Sequence, residues 1–127
     1  MEIKLDTVRT TLGVKNTLNR LKQLTGIETW NVLCRWAFCL SIKQENLPRE
    51  IEETLDGVEI DYEVFVGKNK DIYTQLLINN LLKYKIEINK QNLSKYLYAH
   101  INRGVNILYT NKMKNIDSLL NLVKLQK

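Results

Sequence analysis

Apolar residues recur every three to four positions over most of the chain, which is the spacing of helices that pack one face against a core. Residues 2–9 alternate instead and predict a short extended segment. The first predicted helix then runs from about Thr11 to Thr25 and ends at Gly26, a residue that commonly terminates helices. Further helices are predicted at about Trp30–Ile42, Asn69–Tyr84 and Asn92–Arg103, the last ending near Gly104, and again after Asn115, where Ile116, Leu119, Leu120 and Val123 keep the helical spacing.

The segment from Trp30 to Ile42 is apolar nearly all round, and its only charge is Arg35. A helix of this kind must be covered on most of its sides, and a domain of 127 residues has few layers with which to cover it. We therefore expect this helix to build or support an interface in a homo-oligomer. The predicted interface residues are Trp30, Leu33, Trp36, Phe38 and Leu40.

Loop signals follow this helix. Pro48 and the pair Asp56-Gly57 are typical of turns, and the alternation from Val58 to Val66 predicts a short strand or hairpin. The whole pattern predicts a single, mainly α domain over residues 1–127, a compact bundle of about five helices with a short N-terminal extended segment. Its first 42 residues have the strand, helix, helix order of ribbon-helix-helix proteins, in which two copies pair their strands in the DNA major groove.

Charge divides the chain into three blocks. Residues 1–43 carry seven Lys or Arg against three acids, residues 44–63 carry one Arg against eight acids, and residues 64–127 carry eleven bases against three acids. The net charge of +5 thus describes a basic body with an acidic insert. The body favours a polyanionic partner, while the insert could pair with the body, repel nucleic acid locally or dock a basic partner. A solvated surface without a partner explains the same charges equally well.

Composition narrows the class of protein. With 44% hydrophobic and 26% charged residues, the chain resembles an average globular domain, and no apolar run approaches the roughly 18 residues that span a bilayer. The N-terminus does not have the pattern of a secretion signal, so we expect a cytoplasmic protein. Two cysteines are too few for a disulfide framework, in keeping with a reducing compartment.

Residues that could carry chemistry are few. His100 shares a helical face with Leu93 and Leu97, so a buried core histidine is favoured over a catalytic base. Cys34 and Cys39 lie five residues apart, which suits neither a mutual disulfide nor a zinc knuckle, although a sulfur-transfer cysteine stays open. The sequence has no glycine-rich phosphate loop and no calcium-loop spacing. We therefore expect a protein that is not an enzyme and that uses no metal or cofactor.

The cations are the remaining candidates for function. On the predicted first helix, Lys15 and Lys22 follow the helical step and line one side. Phosphate contacts by such residues would confer affinity and salt dependence, without reading the base sequence. The predicted DNA-binding residues are Lys4 and Arg9 on the extended segment, Lys15 and Lys22 on the first helix, and Lys112 and Lys114 in a loop before the last helix.

Two long runs resemble the signatures of a known family. The run from Thr25 to Ile42, with Trp-Asn-Val-Leu-Cys-Arg at residues 30–35, is similar to the signature of the DndE family of bacterial DNA sulfur-modification proteins. The run Ala99-His100-Ile101-Asn102-Arg103-Gly104-Val105-Asn106-Ile107-Leu108 resembles its second signature, and the stretch from Ile116 to Leu120 resembles the family as well. A match of this length is far more specific than a short glycine motif.

The resemblance implies a small helical subunit of the DNA phosphorothioation system, in which sulfur replaces a non-bridging phosphate oxygen. It implies an oligomeric DNA binder, a tetramer, that prefers nicked duplex, while partner subunits carry out the sulfur chemistry. We therefore expect a non-catalytic accessory subunit. The alternatives are a ribbon-helix-helix transcriptional regulator and, less favoured, a sulfur-transfer enzyme that uses Cys34 or Cys39.

Overall fold

Helices dominate the computed structural model, which describes residues 3–125 and, for side chains, residues 3–114. The mainly α architecture that the sequence predicts is confirmed. In chain order the elements are β1 (Thr7–Arg9), α1 (Leu12–Thr25), α2 (Trp30–Ile42), β2 (Glu59–Asp61), α3 (Tyr62–Val66), a 3-10 turn (Gly67–Asn69), α4 (Lys70–Lys83) and α5 (Lys90–Leu125).

Helix α1 begins and ends where its sequence predicts. The Thr11 hydroxyl accepts a hydrogen bond from the Val14 N–H at 3.2 Å and so caps the first turn. Gly26 adopts a left-handed conformation with φ of 74° and donates its N–H to the Lys22 carbonyl, which closes the last turn. The buried face of α1 is formed by Val14, Leu18 and Leu21.

Helices α2 and α5 form the centre of the fold and approach each other closely at Gly104. A Cβ atom on Gly104 would lie 1.7 Å from the Ala37 carbonyl oxygen, so only glycine permits this approach. The predicted helix end at Gly104 is therefore wrong: α5 continues through it to Leu125, and Lys112 and Lys114 lie within this helix rather than in a loop. The predicted apolar positions after Asn115 lie outside the described side chains.

Helix α2 is covered largely by its own chain. Leu33 and Phe38 have no exposed surface, and the Phe38 ring packs edge-on against Phe65 of α3 with 6.1 Å between centroids. Tyr73 of α4 completes this aromatic cluster, at 6.1 Å from Phe38. Helix α2 is apolar mainly because it lies at the centre of a single core, where it contacts α1, α3, α4 and α5.

The two strands pair with each other. Strand β1 lies antiparallel to β2, with Val8 opposite Ile60. On its other side, the Thr7 carbonyl accepts a hydrogen bond from the Tyr98 hydroxyl of α5 at 3.0 Å. A ribbon-helix-helix dimer instead pairs its first strand with that of a second copy. Because β1 is engaged within its own chain, the described structure does not favour that alternative.

The alternation after the acidic insert produces a strand of only three residues. A strand or hairpin was predicted from Val58 to Val66, but the chain turns into α3 at Tyr62. Tyr62, Phe65 and Val66 recur at helical spacing and are all buried. Burial of these three side chains against the core favours a helix here, whereas the alternating pattern predicts a strand.

The acidic insert crosses the surface as a loop over residues 43–58 and continues into β2 and α3, and all eight of its acids are exposed. Among the described side chains, it meets the basic body in two ion pairs, Lys95 with Glu50 at 3.2 Å and Arg9 with Glu59 at 3.2 Å. Both pairs are solvent-exposed, so each contributes little to stability. Within residues 3–125, none of the helices is both long and apolar enough to cross a bilayer.

Candidate nucleic-acid interface

The flank of α1 beside its buried face carries Lys15, Asn19 and Lys22, and Trp30 of α2 lies against them. Lys22 Nζ lies 4.0 Å from the centroid of the Trp30 ring, and Lys15 Nζ lies 6.0 Å from it. The indole Nε1–H donates a hydrogen bond to the Asn19 side-chain oxygen at 3.2 Å. We call these four residues the Trp30 cluster. The structure thus brings together two of the predicted phosphate ligands around one aromatic ring.

A further cation lies on the same helix. The Arg20 guanidinium donates a hydrogen bond to the Tyr109 hydroxyl of α5 at 3.1 Å and stays exposed. Lys112 follows Tyr109 by three residues and therefore lies on the same side of α5. The sequence prediction missed Arg20 because it lies off the helical line of Lys15 and Lys22, and its partner is 89 residues away.

The other predicted phosphate ligands lie elsewhere. Lys4 and Lys114 are exposed, the first before β1 and the second on α5. Arg9 on β1 is held by Glu59, at 3.2 Å between NH2 and Oε1. A phosphate would have to displace this carboxylate, so Arg9 is less available than a lysine without an acidic partner.

His100 belongs to a chain of hydrogen bonds that joins α2, α4 and α5. Arg103 Nε donates to the Ser41 hydroxyl at 2.8 Å, and that hydroxyl lies 2.8 Å from His100 Nδ1. His100 Nε2 lies 2.8 Å from the Asn80 side-chain oxygen. Because Asn80 Oδ1 accepts, the ring carries its proton on Nε2, and Nδ1 accepts from Ser41. Every member of the chain is satisfied when His100 is neutral.

A serine bonded to a histidine can be a nucleophile with its base, but here both groups are inaccessible. Ser41 and His100 have no exposed surface. Burial, and secondarily the charge of Arg103, lower the pKa of His100 to about 4. A general base works best with a pKa near the operating pH and must reach its substrate. These hydrogen bonds therefore stabilise the fold, in agreement with the core position predicted for His100.

Comparison with known proteins decides the family. The family model for DNA sulphur modification protein DndE matches residues 7–116. The chain belongs to the DndE family. A comparison with curated protein sequences finds no match.

Solved DndE structures share the fold. DndE from Escherichia coli B7A, described as involved in DNA phosphorothioation modification, superposes with a TM-score of 0.70 at 22% identity, covering 85% of this chain and 99% of that one. A DndE mutant described in similar terms gives 0.63 at 19% identity, covering 84% and 99%. At these identities the comparison concerns the fold alone.

Neither cysteine thiol of this DndE-family chain has the lowered pKa of a reactive thiolate. Cys34 is fully buried, and burial raises the pKa of its thiol to about 12. Cys39 is half-buried, and burial raises the pKa of its thiol despite the opposing charge of Lys43. Sulfur transfer needs an accessible thiolate. Among the described residues, no three His, Cys, Asp or Glu side chains come together to hold a metal ion.

The predicted interface residues on α2 fall into two groups. Leu33 and Phe38 are buried in the single chain and could only support an interface from beneath. Trp36 is 47% exposed, and Leu40 and Trp30 are half-buried. Trp36 is therefore the residue of α2 with the most to gain from a second copy.

Proposed function

We propose that this protein is a non-catalytic, DNA-binding accessory subunit of DNA phosphorothioate modification, working in the cytoplasm as a homo-oligomer that prefers nicked duplex. Its partners would be double-stranded DNA and the subunits that carry out the sulfur chemistry. The observation that carries the proposal is the Trp30 cluster, two lysines aligned on α1 of a chain from this family. Two fixed cations on one helix suit a phosphate backbone.

Three observations support a binding role over a catalytic one. The Ser41–His100 pair is buried, both cysteine thiols have raised pKa values, and no metal-binding group forms among the described residues. The polar groups around Trp30 are two ammonium groups and the Asn19 amide, which bind phosphate but do not transform it. Self-association, with a tetramer as the proposed state, would repeat this cationic surface and raise affinity through multivalency.

The DNA preference can be tested by electrophoretic titration of intact, nicked and single-stranded DNA in several unrelated sequences. We expect binding to every duplex, with the nicked duplex bound most tightly whatever its sequence. Tight binding of one palindromic operator in preference to all nicked duplexes would contradict the proposal and favour the transcriptional regulator.

The predicted phosphate ligands can be tested by their salt dependence. Replacing Lys15, Lys22, Lys112 and Lys114 with Gln should weaken binding to every sequence alike and lower the slope of log affinity against log salt by about one unit for each ligand. Arg9→Gln serves as the matched control, because Arg9 is already paired with Glu59 and should change the slope least. A quadruple variant with the wild-type slope would exclude these residues.

A further inference from the structure

Trp30 differs from the other aromatic residues that contact lysines. Its ring is shared by two lysines of another helix, whereas Lys83 with Tyr84 and Lys95 with Tyr96 join neighbours in sequence at 5.5 Å. The indole edge is held as well, by the hydrogen bond to Asn19 at 3.2 Å. Helix α1 thus anchors the ring at its edge, and the ring in turn contacts the ammonium groups.

We propose that Trp30 is a positioning residue for DNA binding, which holds the ammonium groups of Lys15 and Lys22 in a fixed array facing the phosphate backbone. This inference rests on the proposed DNA-binding function. A lysine that moves freely in solvent must be ordered when it contacts a phosphate, and this ordering reduces affinity. The cation–π contact orders the side chain before DNA arrives. Lys22, 4.0 Å from the ring centroid, is held more closely than Lys15.

The geometry favours positioning over two other roles for Trp30. Base stacking at a nick would need an open ring face, but Lys22 lies over the ring, and the indole also packs against the core. An oligomer interface would need exposed apolar surface, and Trp36 offers more of it than the half-buried Trp30. The polar contacts of Trp30, by contrast, are made with Lys15, Asn19 and Lys22 on the cationic flank of α1.

The test compares Trp30→Leu, which keeps apolar packing but removes the aromatic face, with Trp30→Phe, which restores an aromatic face. Trp30→Leu should weaken binding to nicked and intact duplex alike by about three- to tenfold, since the lysines must then be ordered on binding. The salt slope should stay as in the wild type, because both charges remain. Trp30→Phe should recover affinity to within about twofold of the wild type.

Two controls separate positioning from loss of charge and from loss of an aromatic side chain. Lys22→Gln should lower the salt slope by about one unit, which Trp30→Leu should not do. Tyr96→Leu removes another cation–aromatic contact, but its Lys95 is paired with Glu50, so DNA affinity should not change. Thermal unfolding and light scattering on each variant check that the fold and the oligomer persist.

A measurement without DNA tests the arrangement itself. In the wild type the ε-methylene protons of Lys22 should show an upfield ring-current shift, which Trp30→Leu abolishes and Asn19→Leu reduces by freeing the indole edge. Wild-type affinity in Trp30→Leu, a loss confined to nicked DNA, or a change of oligomer would each overturn the inference. A wild-type protein that shows the ring-current shift but binds no DNA would instead overturn the proposed function.

Discussion

At the scale of single residues, the hydrogen bonds that link Arg103, Ser41, His100 and Asn80 show what a sequence pattern can and cannot predict. The helical spacing around His100 predicted its burial, and the structure places it there. Its partners were not predictable, because Ser41 is 59 residues away and Asn80 is 20 residues away. Arg103 also donates to the Ser41 carbonyl at 2.7 Å, near the end of α2, where the helix dipole favours a cation. The guanidinium therefore contacts the last turn of α2 and adds to the burial that keeps His100 neutral.

The lowered pKa of His100 predicts a specific dependence of stability on pH. Its value falls from 6.5 to about 4 on folding, through burial and then the charge of Arg103. Above pH 6.5 the ring is neutral in both states, and the full stability is present. As the pH falls from about 6.5 to about 4, the unfolded chain binds a proton that the folded chain excludes, so the free energy of unfolding should fall by roughly 3 kcal/mol.

Urea unfolding at a series of pH values checks this expectation. His100→Gln removes the titrating ring, so the difference between wild type and variant isolates the contribution of His100 from that of the carboxylates. The wild type should lose stability relative to the variant as the pH falls from 6.5 to 4. Parallel curves over that range would show that the pKa of His100 is not lowered.

At the scale of elements, the sequence predicted the helices whose bounds depend on local residues. The bounds of α1, α2 and α4 agree with prediction to within one residue, since the apolar stripe and the flanking turn residues are local. The helix end predicted at Gly104 is wrong because glycine has two uses, ending a helix and allowing a neighbouring backbone to approach. Only the position of Ala37 on α2 tells them apart, and that is information from the tertiary structure.

Close packing at Gly104 predicts opposite effects for two glycine-to-alanine changes. Gly104→Ala places a methyl group 1.7 Å from the Ala37 carbonyl oxygen and should cost about 2–3 kcal/mol of stability by forcing α2 and α5 apart. Gly13→Ala is the matched control, because in α1 the new methyl would meet only Thr11 Oγ1 at 3.9 Å. It should be neutral or stabilise by about 0.5 kcal/mol. Denaturant unfolding measures both, and a stabilising Gly104→Ala would contradict the close approach.

At the scale of the whole molecule, the acidic insert and the basic body are only partly separated in space. The acidic insert touches the basic body through exposed pairs at Glu50 and Glu59, and its remaining acids face solvent. The contacts within the Trp30 cluster join three side chains of α1 to Trp30 of α2. Sequence order predicted the blocks but not this arrangement, since the positions of α1 and the insert depend on the packing of α5.

Self-association is a property of the whole molecule, and the exposed apolar surface of α2 predicts it. Trp36 is 47% exposed although the other residues of α2 are buried or half-buried, and burial against a second copy would remove this apolar surface from water. Trp36→Glu should therefore yield a smaller particle by light scattering at micromolar concentration, with unchanged helical content and weaker DNA binding, because fewer cationic surfaces act together.

Leu82→Glu is the matched control for this prediction, because Leu82 on α4 is 56% exposed and lies outside α2. A charge there should leave the particle size unchanged if α2 forms the interface. A monomeric wild type would refute self-association altogether, whereas dissociation by Leu82→Glu but not by Trp36→Glu would move the interface to α4. Dissociation by Trp36→Glu alone would link the apolar character of α2 to the number of DNA-binding surfaces that act together.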